Sequence, residues 1–393
     1  MNKHILNIEN QTIINDNIKS NIVELLLKGI ITSKASSKEL IDQIEAKKRC
    51  KKKLITWFST QNIYYPNKLN IEQTSSEITA QYKAKLVSGE SLIDLTGGFG
   101  VDCYYFSKQM DQVYHCEIDT NLSRIVKHNY KQFGIENITC IQESGITTLI
   151  EKNQHYNWIY IDPSRRDDIK GKVFLLKDCM PSVPSHLELL FKHANNIMVK
   201  TSPLLDISSG IKELSHVKTI HCVALNNEVK ELLWVLERDY NGEIDVKTVN
   251  ITKKTNQEFN YLLNEESSAS ALLSEPLDYL YEPNVAILKS GAFERLAEKL
   301  NIFKLHKHSH LYTSKNLIDF PGRKFKIERV LDYNKKKFKK EFKEDKANIT
   351  TRNFPETVNK IREKLKLKDG GKGYLFFTTN CYNSKTIIMC NKL

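Results

Sequence analysis

The stretch "LIDLTGGFGVD" (Leu92–Asp102) decides the fold. Apolar residues suited to a buried strand run into an acid, then into a turn with three glycines, then into the start of a helix. Gly97, Gly98 and Gly100 let the backbone turn tightly and approach a ligand where a side chain would collide. A dinucleotide-binding loop asks for a further glycine at position 103 to pack its helix. This chain has Cys103, which argues against a nucleotide-dependent oxidoreductase. Asp94, at the strand end, is placed to accept a hydrogen bond from a cationic or amino group at the loop.

Working outward, the same alternation repeats. "SLIDL" (91–95), "QVYHCEI" (112–118), "NITCIQ" (137–142), "NWIYID" (157–162), "NIMVKT" (196–201), "VKTIHCVA" (217–224) and "LLWVLER" (232–238) read as short strands. Most are separated by helix-length segments such as "NLSRIVKHNYKQFG" (121–134), which predicts an α/β domain with a mainly parallel sheet covered on both faces. The last two are joined by "LNNEVKE", too short for a crossover helix, so they should be antiparallel. The second strand ends in Glu117, where an acid can take both hydroxyls of a ribose. The third ends in "IQES", offering Glu143 or Ser144 near an adenine ring. Together these features point to an adenosine-bearing cofactor at the carboxyl edge of the sheet.

"DLTGGFG", "HCEID" and "IDPSRR", in this order over about residues 88–240, resemble motifs of the class I S-adenosylmethionine-dependent methyltransferases. Thr96 stands where that family usually has its first glycine. The resemblance implies a Rossmann-like seven-stranded sheet binding S-adenosyl-L-methionine, with Asp94 holding the methionine amino group and Glu117 the ribose. Thr96, Gly97, Gly98, Gly100, Ile118, Glu143, Ser144 and Asp162 complete the expected cofactor site. Gln73, Ser75 and Thr79, in "IEQTSSEITAQYKA" (71–84), lie where related enzymes cover the cofactor. The whole chain is also similar to bacterial methyltransferase-like proteins that end in a ferredoxin-like segment and a THUMP-like domain, on "EPNVAILKSGAFERLAEKL" (282–300) and "ITTRNFPETVNKIREKLKLKDGGKGYLFFTT" (349–379). THUMP domains elsewhere deliver RNA to attached catalytic domains, so the resemblance implies an RNA substrate, tRNA or rRNA.

The fourth strand ends in Asp162-Pro163, followed by Arg165 and Arg166. In this architecture that end faces the transferable methyl group. Catalysis there consists mostly of holding the acceptor atom behind the methyl carbon. A carboxylate can accept from an amine or ring N–H, and the proline stiffens the turn. Methyltransferases acting on exocyclic amines carry an aromatic residue after the prolines to stack on the flipped base; here Arg165 takes that position. Uracil-C5 chemistry needs a cysteine at the end of the next strand, where this chain has Thr201. Asp162, Pro163 and Arg165 are thus the catalytic candidates, with the arginines clamping a phosphate or stacking on a base. Arg166 could instead pair with Asp167 or Asp168.

Charge is segregated. Of the net +12, all lies in Arg323–Leu393, with 20 Lys+Arg against 8 Asp+Glu. A polyanion-binding module looks like this, because each lysine near a phosphate releases a counterion. "KKKFKK" (335–340) interleaves Phe338 with lysines and could track an RNA backbone. The expected domains are a helical N-terminal region (1–82), the methyltransferase domain (83–262), a ferredoxin-like segment (276–322) and a small α+β THUMP-like basic domain (323–393), with one helix over 284–302. Eight scattered cysteines without a C-x-x-C pair suggest reduced thiols in a cytoplasm. No secretion signal or bilayer-length apolar run is visible. His306, His308 and His310 alternate without metal-ligand partners and read as surface or interface histidines, so no metal is expected. Rival readings are a non-catalytic RNA-binding protein on the same scaffold, and methylation of a protein or small molecule.

Overall fold

The β-branched and aromatic runs form strands in the computed structural model, which describes residues 1–32, 34–165 and 175–393. Those from the glycine loop onward are β1 Ser91–Asp94, β2 Gln112–Cys116, β3 Ile138–Ile141, β4 Tyr156–Ile161, β5 Ala194–Thr201, β6 Val217–Leu225 and β7 Glu228–Glu237. Two more follow, β8 Asp245–Ile251 and β9 Gln257–Leu262. The chain forms two units, Met1–Val217 with Trp234–Tyr240, and Lys218–Leu233 with Asn241–Leu393.

In the first unit the strand order is β3-β2-β1-β4-β5, all parallel, followed by the Trp234–Glu237 end of β7. Helices Val101–Phe106, Thr120–Gln132, Gly145–Lys152 and Val183–His193 occupy the crossovers. Asp119 starts the second of these by accepting from the Asn121 and Leu122 N–H groups. Its Leu122, Ile125, Val126 and Tyr130, spaced to share one face, are all buried. The N-terminal region is helical, as expected. Its longest helix, Ser37–Lys53, begins with a reciprocal Ser36–Glu39 capping box and buries Leu40, Ile41 and Ile44. Leu40 and Ile44 join Trp57, Tyr104, Phe106 and Tyr160 in one core.

In the second unit the Glu228–Leu233 part of β7 is followed by β6, β8 and β9. Asn226 and Asn227, both at positive φ, make the two-residue turn between β6 and β7, so these strands are antiparallel. Strands β1 to β7 thus take the order 3-2-1-4-5-7-6, the expected α/β sheet, which β8 and β9 extend to nine strands. A second, seven-stranded sheet follows: β10 Tyr279–Pro283, β11 Phe303–Lys304, β12 Tyr312–Ser314, β13 Gly322–Asp332, β14 Lys346–Arg352, β15 Lys368–Thr379 and β16 Lys385–Lys392, in the order 11-12-10-13-16-15-14. The helix expected over 284–302 is two helices, Val285–Ser290 and Glu294–Leu300; Gly291, at φ 83°, ends the first. Phe338 is buried with Ile361, Leu365 and Phe377, so the aromatic ring of the lysine run packs the core and is not offered to a base. Lys335, Lys336, Lys337, Lys339 and Lys340 around it are exposed. His306 is buried between Asn383 and Asn353 and so is not a surface residue, while His310 is half-buried and stacks on Phe293 at 3.7 Å. Among the described residues no acidic, cysteine or histidine group is arranged to hold a metal, and no helix is long and apolar enough to cross a membrane.

Candidate functional site

The carboxyl ends of β1, β2, β3, β4 and β5 bring most of the candidate residues together, and each glycine of the loop has its own reason. A Cβ on Gly97 would stand 2.3 Å from the His115 ring, and one on Gly100, at φ 75°, 2.2 Å from the Tyr130 hydroxyl. These two are glycines because protein packs against them. Gly98, at φ 55°, would meet nothing closer than the Thr96 carbonyl at 3.8 Å. Its backbone is the part of the loop open to an approaching group. Below the loop, burial pulls the His115 imidazole down to about 4, so it stays neutral where its Nε2 meets the Gly98 carbonyl at 3.2 Å.

Asp94 does not face outward. Its carboxylate is 1% exposed, accepts from the Thr96 N–H at 2.9 Å and hydroxyl at 3.2 Å, and takes the Cys103 thiol at 3.2 Å. These bonds are made inside the loop, to Thr96 and to Cys103 in the helix that follows. Burial raises the Asp94 carboxyl to about 7, against the hydrogen bonds from Thr96 and Cys103. Thr96, in the position of a family glycine, uses its hydroxyl twice: it donates to Asp94 and accepts the Asp162 N–H at 2.7 Å.

Glu117 continues β2. One carboxylate oxygen accepts from the Gly98 N–H at 2.9 Å and the other from the Asp119 N–H at 2.8 Å. Burial pushes its carboxyl above the usual range, and both N–H groups pull the other way. Beside it Ile118 is 74% exposed, an apolar face offered at the crevice. Glu143 is exposed, accepting from the Ser144 N–H, and Ser144 precedes helix Gly145–Lys152. Of the covering segment, Gln73 is exposed, Thr79 is buried and bonded to Ser76, and Ser75 belongs to the network below.

At the end of β4, the parallel register pairs Ile161 with Val199, so Asp162 and Lys200 leave adjacent strands at one level. They form an ion pair. The lysine side chain is 14% exposed and the carboxylate 32%. Pro163 is buried, and half-buried Arg165 lies in a short antiparallel pairing with Cys179. Burial pushes the Cys179 thiol up to about 11, and the Thr201 hydroxyl accepts from the Trp234 indole at 3.0 Å. Neither is an activated nucleophile. Arg166, Asp167 and Asp168 lie outside the described residues.

Beneath these ends sits a buried network that the sequence reading missed. Lys83, fully buried, contacts Asp102 at 3.1 Å and donates to Ser75 at 3.0 Å. Asp102 also accepts from the Ser75 and Tyr160 hydroxyls, each at 2.9 Å. Burial pulls the Asp102 carboxyl up, but Lys83, Lys200 and the Ser75 hydroxyl hold it below the usual range. The available signals were single lysines in otherwise uncharged segments, Lys83 in "ITAQYKA" and Lys200 in "NIMVKT".

Comparison with known proteins adds three findings. Residues 279–321 match the model of a ferredoxin-like domain, and residues 322–392 that of a THUMP domain-like family. The solved structure called "putative methyltransferase from Porphyromonas gingivalis W83" superposes with a TM-score of 0.89 at 29% identity, over 99% of this chain and 98% of that one. An rRNA methylase from Streptococcus thermophilus gives 0.30 at 15% identity, over 41% of this chain and 93% of its own. An O-methyltransferase from Bacillus cereus in complex with SAH gives 0.34 at 10% identity, over 43% and 87%. Overlaps as slight as these last two carry no weight for function. A search of curated protein sequences returns no match. The fold is that of the class I S-adenosylmethionine-dependent methyltransferases. The chain carries a ferredoxin-like and a THUMP-like domain after this sheet, and its fold matches the Porphyromonas gingivalis structure over almost its whole length.

Proposed function

We propose that the chain is a cytoplasmic S-adenosylmethionine-dependent methyltransferase of RNA, with the methyltransferase part over 83–262 and the C-terminal module delivering the RNA. The observation that carries this reading is the cradle at the strand ends: an open Gly98 backbone, Glu117 beside it and the exposed Ile118 face. These suit an adenosine with a ribose, and the similar Porphyromonas gingivalis structure is itself called a methyltransferase. Gly98, Glu117, Ile118, Glu143 and Ser144 would hold S-adenosyl-L-methionine, with Asp94, Thr96, Gly97 and Gly100 shaping the loop. When bound it supplies an electrophilic methyl group on a sulfonium. Asp162, Pro163, Arg165 and Lys200 line the acceptor side. The THUMP-like match and the exposed lysines of helix Lys335–Glu341 support an RNA partner, tRNA or rRNA. Eight free cysteines suit a reducing compartment.

Calorimetry with S-adenosylmethionine tests the cradle: Glu117→Ala should weaken binding at least tenfold, as loss of charge-assisted hydrogen bonds does. Transfer of labelled methyl into a lysate lacking the protein, split between RNase and protease digestion, tests the substrate. Label lost only to protease would refute RNA, and binding without transfer would favour a non-catalytic scaffold.

A further inference from the structure

The Asp162–Lys200 pair fits poorly with an amine acceptor, and the reason is charge. When an amine attacks a sulfonium methyl group, positive charge grows on nitrogen. A hydroxyl attacks well only as its proton leaves, and negative charge builds on its oxygen until the new bond to carbon takes it up. A fixed ammonium beside the acceptor disfavours the first and stabilises the second. Lys200 is held there from two sides: it is ion-paired with Asp162, and Asp102 lies within its electrostatic reach. Its stem is buried while the Asp162 carboxylate opens to solvent, so the pair presents its polar end to an incoming group. The Thr96 hydroxyl fixes the Asp162 backbone, which places that carboxylate against the loop. Pro163, Ser164 and Arg165 provide no aromatic ring on which to stack a flipped base.

We infer that Lys200 and Asp162 select an oxygen acceptor, the ribose 2′-hydroxyl of RNA; this rests on the RNA methyltransferase reading above. The 2′-hydroxyl recurs at every residue of an RNA chain, and each ribose is flanked by phosphodiesters that a cation such as Arg165 suits. In the step, the hydroxyl oxygen bonds to the methyl carbon of the sulfonium donor and the carbon–sulfur bond breaks, its electron pair remaining on sulfur. The hydroxyl proton passes to the Asp162 carboxylate. The products are a methyl ether, a neutral thioether and a protonated carboxyl; the Lys200 ammonium hydrogen-bonds the acceptor oxygen while its proton leaves, before the new carbon–oxygen bond takes up that charge.

RNA from cells lacking the protein, incubated with the full chain and methyl-labelled S-adenosylmethionine, is hydrolysed in alkali. A methylated 2′-oxygen cannot attack the neighbouring phosphate, so label is expected in alkali-resistant dinucleotides. Label confined to mononucleotides overturns this inference and leaves RNA methylation standing; absence of label from RNA overturns both. Without any purified enzyme, RNA from cells carrying the gene should contain an alkali-resistant linkage that deletion cells lack, and identical patterns overturn the inference. Lys200→Met should lower transfer about 100-fold or more while S-adenosylhomocysteine affinity stays within about twofold, and Lys200→Arg should recover part of the rate. A Lys200→Met protein transferring within about threefold of the parent rules Lys200 out.

Discussion

Replacing Lys83 by methionine tests whether the buried network is set up as described. The lysine is fully buried and its Nζ lies 3.1 Å from Asp102. At the effective dielectric of about 20 that suits buried pairs, two charges at that distance attract by about 5 kcal/mol. Methionine fills similar volume, so little of the effect comes from a cavity. What remains is a buried carboxylate that keeps the Ser75 and Tyr160 hydroxyls as hydrogen-bond donors and the more distant charge of Lys200. Relaxation and water entry offset part of the loss, which leaves an expected cost of about 3–5 kcal/mol at neutral pH. Urea unfolding followed by tryptophan fluorescence isolates the relevant unit, because Trp57, Trp158 and Trp234 all belong to the first. In the parent, Asp102 titrates below the usual range, so it contributes stability above the unfolded-state value that is lost as pH falls through its folded one. Without Lys83 the sign reverses: the Asp102 carboxyl rises, and the deficit should shrink as the medium is acidified. Asp102→Asn added to Lys83→Met should recover most of the stability. A single substitution costing less than about 1 kcal/mol, or a deficit independent of pH, would refute the reasoning.

Gly97→Ala and Gly100→Ala should each destabilise the first unit by about 1–3 kcal/mol, whereas Gly98→Ala should cost about 1 kcal/mol in folding and lose cofactor binding, as read by urea unfolding and calorimetry. Asp94, raised to about 7, is neutral when folded over a range where it is ionised when unfolded, so it contributes stability below pH 4 that is lost as pH rises to 7. Asp94→Asn should flatten that slope, by at most about 4 kcal/mol across the interval. Changing Lys336, Lys339 and Lys340 to glutamine should weaken RNA binding and reduce the slope of log affinity against log salt by about 0.7 per lost phosphate contact; an unchanged slope would remove this helix from the interface. Deleting 323–393 is a poor substitute, because β13 pairs with β10 on one side and β16 on the other, and the cut would strip both ladders.

Much of the fold was legible because strands and helices alternate with clear periods and the glycine turn stands alone. The seven strands from Ser91 to Glu237 follow from local composition. Strands β8 and β9 were harder, since "DVKTVNI" and "QEFNYL" are half polar and their assignment depends on pairing with each other. The break at Gly291 was written as "KSGAF" within an otherwise helical period, and tertiary packing chose the C-cap over continuation. At the site, Glu117, Gly98 and Asp162 could be placed because their strand-end positions follow from chain order. Lys200 could not, since its partner depends on the register of β4 against β5. Phe338 was misleading for a related reason: in a run of lysines the eye reads an exposed aromatic, while one helix face is enough to bury it.

The Thr96 hydroxyl has a consequence for how binding events communicate. It joins the carboxylate at the root of the glycine loop to the backbone of Asp162. On the function proposed above, a shift of the loop when a nucleoside settles on Gly98 would pass, through one oxygen atom, to the backbone of Asp162. Linkage makes such an effect mutual: whatever factor the first ligand applies to the affinity of the second, the second applies to the first. A glycine at 96 would leave the two ligands thermodynamically indifferent to one another along this route, so the side chain standing where a glycine was expected is also the one that can couple their affinities.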